Sequence, residues 1–514
     1  MRPRRRDGRS PLPPLLPATP VPAAAAAGHQ HPEVLPVAPS LATCSPLPAA
    51  APAATGSTPG PPGRAAPGCA GAVRVQSARC ADSRRTGPRG SYPSSNRRPG
   101  DHVTSTQDPT GSAVSADRTE ATGPVSSPMM AERAMRIRRR LERLIGIAAT
   151  EGNSVDVLRN GDEIFAAMLD RIRSAEHTVD MMTFVYWKGD IAAQFADALA
   201  ERAQAGLRVR LLLDGFGSRP IEKDQLAAME RAGVHIAWFR KPLHLSPLKQ
   251  NHRCHRKVLL IDERVAFTGG VGIAEEWCGD ARNENEWRDT HVEVRGPAVD
   301  GIAAAFAQNW AECDDALFDE RDRFVEHESP GDAVIQVVRG SASFGWQDMQ
   351  TLIRVVLKSA EERFRLATAY FAPDTYFVEL LCAAARRGVR VEILLPGPHT
   401  DKRVCLIAGQ QHYEELLACG VRIYQYQPTM MHAKVITVDG VASLVGSTNF
   451  NRRSLGHDEE VMLTVLDEGL TAELDRHFDE DLTASVHIKP GRWKRRSLVQ
   501  RAKEAAVYPL RHFL

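Results

Sequence analysis

His255-Arg-Lys-Val-Leu-Leu-Ile-Asp262 and His432-Ala-Lys-Val-Ile-Thr-Val-Asp439 repeat one pattern, His-x-Lys-x-x-x-x-Asp, within a chain of 514 residues. Each copy opens an apolar, β-branched run, Val258–Ile261 in one and Val435–Val438 in the other, which reads as a buried strand. Residues i and i+2 of a strand project to the same face. His255 and Lys257 therefore point together into one cleft, and so do His432 and Lys434. A glycine, Gly269 or Gly446, stands seven residues after each Asp.

Outward from these motifs the chain repeats itself. Val179–Trp187 (strand), Ile191–Ala205 (helix), Leu207–Leu213 and Val234–Phe239 (strands) precede the first motif. Phe364–Phe371 (strand), Val378–Arg387 (helix), Val389–Leu395 and Val421–Tyr426 (strands) precede the second in the same order. Local wording repeats too: Ala205-Gly-Leu-Arg-Val-Arg-Leu-Leu-Leu-Asp214 answers Arg387-Gly-Val-Arg-Val-Glu-Ile-Leu-Leu-Pro396. The class expected is α/β, a tandem duplication with a period too long for a solenoid and with sheets covered on both faces. Two such halves are expected to pair about a pseudo-twofold axis, bringing both motifs to one central cleft.

The chemistry follows from the residue types. A neutral imidazole is a nucleophile, and its ordinary pKa of about 6.5 lets it exchange a proton at neutral pH. One His can attack phosphorus while its twin serves as acid and then base. Two lysines supply the positive charge that a phosphodiester transition state needs, so neither metal nor cofactor is expected. Ser447 and Asn449, in Gly446-Ser-Thr-Asn-Phe450, are expected to donate to the phosphoryl oxygens, with Gly270 at the equivalent place in the first half. Glu460 is expected to orient His432, and Asp289 to orient His255. His252, His291 and His457 read as structural or exposed.

Composition limits the substrate. Hydrophobic content of 43% and charged content of 25% suit a soluble globular body. The net charge of +2 hides an asymmetry: residues 1–128 carry +7, residues 489–514 carry +7, and the stretch between them −12. An acidic body argues against a nucleic-acid partner. Residues 1–128 hold 23 of the 34 prolines and no Ile, Phe, Trp or Lys, so they are expected to be a disordered tail, or else to precede the real start at Met129, Met130 or Met135. Residues 129–150 read as a basic amphipathic helix, either on anionic lipid or packed on the body with a solvated Arg face. Residues 489–514, with Arg492-Trp-Lys-Arg-Arg496 and an apolar face beyond, read the same two ways. The nine cysteines show no metal spacing and are expected to be reduced. No apolar run reaches the length of a membrane span.

The paired His-x-Lys-x-x-x-x-Asp motifs, Thr268-Gly-Gly270 and Gly446-Ser-Thr-Asn449 resemble the phospholipase D superfamily. Trp287-Arg-Asp-Thr-His291, Gly296-Pro-Ala-Val299 and Ala369-Tyr-Phe-Ala-Pro373 are similar to its bacterial cardiolipin synthase branch. The resemblance covers roughly residues 150–514 and implies two phospholipase D-like α/β/α lobes, here 151–330 and 331–488. It implies phosphatidyl transfer through a phosphohistidine, with His255 as nucleophile and His432 as acid and base. Lys257, Lys434, Asp262 and Asp439 complete the implied catalytic set. Phospholipid substrates and a peripheral site on the cytoplasmic face of the plasma membrane follow from it. One departure stands out: Gly272 occupies the place where the family often has Asn.

Overall fold

The computed structural model describes residues 127–241, 252–314, 325–341 and 347–507. The expectations for residues 1–126 and for the last seven residues lie outside these. The first-half strands are β1 (Thr150–Arg159), β2 (Thr178–Thr183), β3 (Arg208–Asp214), β4 (His235–Phe239), β5 (Val258–Ile261), β6 (Val265–Gly269) and β7 (Thr290–Arg295). The second half supplies β8 (Ala333–Gly340), β9 (Arg363–Thr368), β10 (Phe371–Ala372), β11 (Arg390–Pro396), β12 (Arg422–Tyr426), β13 (Lys434–Val438), β14 (Ala442–Gly446), β15 (Phe450–Asn451), β16 (Glu460–Leu466) and β17 (Ser485–His487).

Fifteen of these form one sheet in the order β17-β12-β11-β9-β13-β14-β16-β8-β1-β7-β6-β5-β2-β3-β4. Leaving aside β17, the order reads alike from either end about the β8–β1 junction: parallel trios at the flanks, antiparallel strands inward. The two halves of the duplication thus share a single continuous sheet. The strands expected to reach Trp187 and Phe371 leave it early, at Thr183 and Thr368. Beyond them the chain turns to pair elsewhere, Tyr186 with Ile273 and Phe371 with Phe450.

Alternation along the strands sorts side chains into layers. Leu259 and Ile261 of β5 face a core shared with helices Asn160–Ser174 and Asp190–Gln204. Ile436 and Val438 of β13 face the equivalent core, under helices Asp348–Ser359 and Thr375–Arg386. Val258, Leu260 and Val435 point the other way. They join a core common to both halves, capped by helices Ala298–Cys313 and Glu468–Thr483. Burying both faces is why these strands read as unbroken apolar runs.

The two terminal segments differ. Helix Pro128–Ile145 buries Ile137 and Leu141 in the second-half core. Three of its arginines meet the body: Arg133 with Glu362 at 2.7 Å, Arg136 with Glu361 at 2.8 Å, and Arg140 with Ser359 at 2.9 Å. The helix is thus packed on the body. At the other end, Trp493 packs 5.0 Å from Tyr413 and Arg496 pairs with Glu414 at 3.0 Å, docking that segment too. Its Leu498 and Val499 stay 81% and 64% exposed. No helix among the described residues is long and apolar enough to cross a membrane. The cysteine expectation is corrected at one place, since Cys382 and Cys419 form a disulfide with Cα atoms 5.2 Å apart.

Candidate active site

His255 and Lys257 lie on the short segment that leads into β5; His432 lies on its counterpart, and Lys434 is the first residue of β13. Each lead-in segment pairs with the opposite half. Cys254 bridges Glu459 in parallel, with the His255 N–H donating to the Glu459 carbonyl at 2.9 Å. Arg288 bridges Met431 likewise, with the His432 N–H donating to the Arg288 carbonyl at 2.7 Å. Fully buried Arg256 staples the first junction, donating to the Glu460 carbonyl at 3.0 Å, the Gly340 carbonyl at 2.8 Å and the Ala305 carbonyl at 2.8 Å.

These bridges decide which carboxylate serves which imidazole. Glu460, next to Glu459, places its two oxygens 3.0 and 3.1 Å from Nδ1 of His255. Asp289, next to Arg288, places Oδ2 2.7 Å from Nδ1 of His432. The expected pairing, Glu460 with His432 and Asp289 with His255, is therefore reversed: each half supplies the carboxylate for the other half's histidine. With Nδ1 committed, Nε2 is the ring atom left for substrate on both.

The site is buried, and its ionisable groups shift one another. Burial, then Lys257 and Lys434, holds His255 well below the usual imidazole range. Burial and Lys434 bring His432 down to about 4 against the pull of Asp289. Burial lowers Lys257 to about 8 and Lys434 to about 7. The half-sites feel each other, since Lys434 depresses His255 and Lys257 depresses Lys434. The carboxylates differ in kind. Burial opposes charge on Asp289, but Lys434 and His432 outweigh it and hold the carboxyl below its ordinary value. Burial carries Glu460 up to about 7 in spite of Lys257 and Ser447. At neutral pH the free site thus holds two uncharged imidazoles, one full anion and one carboxyl near its midpoint.

Several expected roles change. The Asp262 carboxylate accepts the backbone N–H groups of Glu176, His177 and Thr178 at 2.9, 2.7 and 2.8 Å. Asp439 does the same for Glu361, Glu362 and Arg363 at 2.8, 2.9 and 2.7 Å. Both aspartates also sit at φ +52°. They lock the turn after the motif strand to the start of β2 or β9, away from the reacting groups, so the motif's third conserved-looking letter is a brace. Ser447 donates its hydroxyl to Glu460 and accepts the Val461 N–H at 3.1 Å, which makes it a support for the carboxyl rather than a phosphate donor. The Gly270 N–H is spent on the Thr290 carbonyl at 3.2 Å, and a Cβ there would lie 2.1 Å from Oδ1 of Asp289. Gly270 makes room for the carboxylate; it does not hold phosphate. A Cβ at Gly272 would meet Val185 at 2.7 Å, which explains why no Asn stands there. Asn449 is buried, and among the described residues its Oδ1 has no hydrogen-bond partner.

Aromatic residues form the walls. Trp277 donates its indole N–H to Asp289 at 2.9 Å and packs edge-on to His432 at 5.1 Å. Trp287 and Tyr370 lie 5.3 and 6.2 Å from the same ring, and Phe184 lies 5.3 Å from His255. Sequence reading missed Trp277 and Phe184 as site residues. The position of Trp287 two residues before Asp289 was the available hint.

Comparison with known proteins shows the family. The family model described as "Cardiolipin synthase, PLD-like domain" matches residues 168–310 and 353–482. The chain belongs to this family. It is 30% identical to cardiolipin synthase 1 of Bacillus cereus over 384 residues, 73% of this chain and 75% of that one. It is 32% identical to cardiolipin synthase 2 of Bacillus anthracis, covering 68% of each chain. Among solved structures, the phosphatidylserine synthase of Haemophilus influenzae superposes with a TM-score of 0.57 at 14% identity, over 74% of this chain and all of that one, a likeness of fold.

Proposed function

We propose that this protein is a phospholipase D-type phosphatidyltransferase that makes cardiolipin. The observation that carries the reading is the reciprocal arrangement of His255–Glu460 and His432–Asp289, each with its own buried lysine. Nε2 of His255 attacks the phosphorus of a phosphatidylglycerol, forming the N–P bond as the P–O bond to the glycerol head group breaks. His432 takes up a proton from solvent as the substrate's negative charge joins Asp289 beside it, and it passes that proton to the departing alkoxide. The primary hydroxyl of a second phosphatidylglycerol then gives its proton back to His432 and attacks the phosphatidyl-histidine. The new P–O bond forms, the N–P bond breaks, and cardiolipin leaves.

The lysines supply charge at the phosphoryl oxygens. Lys434 stands 3.2 Å from Nε2 of His432, and the Lys257 ammonium donates to the His255 carbonyl at 2.6 Å. A phosphodiester would displace such local contacts and raise the proton affinity of both amines.

A peripheral seat on the cytoplasmic face of the plasma membrane suits this substrate. Exposed Leu498 and Val499 lie on a segment that also exposes Lys489, Arg492, Lys494, Arg495, Arg501 and Lys503. Basic residues at an anionic leaflet contribute about 1 kcal/mol each. Incubating the purified chain with labelled phosphatidylglycerol in vesicles tests the reading. Cardiolipin with released glycerol supports it; phosphatidic acid as the main product makes water the acceptor and the protein a hydrolase.

A further inference from the structure

Transfer to a lipid acceptor poses an electrostatic problem that hydrolysis does not. The attacking hydroxyl of phosphatidylglycerol sits only a three-carbon arm from the acceptor's own phosphodiester. A second anion must therefore settle near the phosphorus under attack. Lys257 and Lys434 are both packed against their own motif histidines. Arg256 and Arg288 are consumed in ion pairs with Glu459 and Asp481 at 3.2 and 3.1 Å. The charge for the second phosphate has to come from elsewhere.

We propose that Lys402, with Arg403 beside it, forms the subsite for the acceptor lipid's phosphate, at the second-half rim of the cleft; this rests on the transferase reading above. The Lys402 ammonium lies 4.8 Å from the ring centroid of Tyr370, whose ring stands edge-on to His432. Tyr370 is a fixed plate: its hydroxyl donates to Asp401 at 2.7 Å, and Ala369, Cys405 and Met430 pack with it in one buried cluster. Lys402 and Arg403 themselves are exposed, and among the described residues neither is within ion-pair distance of a carboxylate, Asp401 being held by Tyr370. The Lys402 charge reaches the site, being one of the cations that depress His255.

The matching turn of the first half carries no such pair. After β3 the chain runs Asp214-Gly-Phe-Gly-Ser-Arg219 and presents Phe216, 58% exposed, whereas after β11 it runs Pro396-Gly-Pro-His-Thr-Asp-Lys-Arg403. Among the described residues the first half has Arg219 and Lys223 apart from one another, whereas Lys402 and Arg403 are adjacent. The adjacent pair stands on the side of His432, which deprotonates the acceptor.

The test compares two acceptors on the full chain in phosphatidylglycerol vesicles. One is phosphatidylglycerol, read as cardiolipin. The other is labelled glycerol, read as exchange into phosphatidylglycerol, a transfer to an acceptor without phosphate. Loss of one charge-assisted contact to phosphate is worth about tenfold. Lys402→Ala should therefore lower cardiolipin formation about tenfold more than glycerol exchange, and raise the phosphatidylglycerol concentration needed for half-maximal cardiolipin synthesis. Lys402→Arg should restore both. Equal losses with the two acceptors, or no loss with either, would overturn the subsite while leaving the transferase standing. A wild-type chain that neither exchanges glycerol nor forms cardiolipin would refute the transferase reading, and the subsite with it.

Discussion

The carboxylate of Glu460 holds Nδ1 of His255 at 3.0 Å across 205 residues of chain, and Asp289 holds His432 at 2.7 Å across 143. Neither histidine is oriented by its own half of the molecule. Breaking the association of the halves would therefore disarm both at once, which makes the pair of half-sites one catalytic unit.

The exchanged carboxylates separate the two chemical steps. Asp289→Asn should impair His432 as a base and so slow breakdown of the covalent intermediate, whereas Glu460→Gln should impair its formation at His255. With a phosphatidyl ester whose leaving group is acidic enough to depart unprotonated, Asp289→Asn should accumulate phosphatidyl-enzyme on His255, seen by mass spectrometry after quenching. Glu460→Gln should not. Each should lower kcat by about a hundredfold or more, the scale of removing an acid–base function. Accumulation in the Glu460 variant instead would reverse the roles of the two histidines.

The pH profile should report the buried lysines. Their amines sit near about 8 and about 7, so in the free enzyme positive charge is lost as pH rises through that window. Glu460, raised to about 7, gains its charge over the same range. The expected kcat/KM profile is a bell centred near neutrality. Lys434→Arg keeps its charge at all these pH values and should push the alkaline limb upward, even at a reduced maximum. An alkaline limb unmoved by that change would assign it to another group.

Asp439 and Asp262 should behave as structural residues. Removing the Asp439 carboxylate takes the acceptor from three part-buried backbone N–H groups, at about 1 kcal/mol each. Asp439→Ala should lower the urea midpoint by an amount equivalent to several kcal/mol. Asp439→Asn should lose less, because Asn tolerates φ near +52° and keeps an acceptor oxygen. A full-stability Ala variant lacking only activity would return Asp439 to the catalytic set.

Gly270→Ala offers the converse case. The added methyl falls on Oδ1 of Asp289, so the carboxylate must shift from His432. Activity should drop at least about tenfold, since a displacement of about 1 Å is costly in a positioned site, while circular dichroism stays that of the wild type.

Vesicle sedimentation tests the C-terminal face. Leu498→Asp with Val499→Asp, at positions that touch little of the body, should weaken binding to anionic vesicles and leave thermal stability within a degree or two. Unchanged binding would place the membrane contact elsewhere.

Much of this protein is legible along the chain. The repeated His-x-Lys motif names the reacting groups because side-chain alternation in a strand is local and strict. The apolar runs name the buried strands for the same reason. Asp262 and Asp439 were misread because a carboxylate in a repeated motif looks the same whether it meets substrate or three backbone N–H groups. Ser447 and Gly270 were misread for a related reason: what they touch, Glu460 and Asp289, comes from strands that neighbour them only in the folded sheet.

The sequence by itself determined the α/β class, the duplication and the four groups proposed to do the chemistry, through periodicities of two and three to four residues. The tertiary structure alone decided which carboxylate belongs to which histidine and that helix Pro128–Ile145 is part of the body. It also gave the first half-site a carboxyl near its midpoint and the second a full anion. Those facts rest on pairings across more than a hundred residues and on burial, and neither leaves a local pattern in the chain.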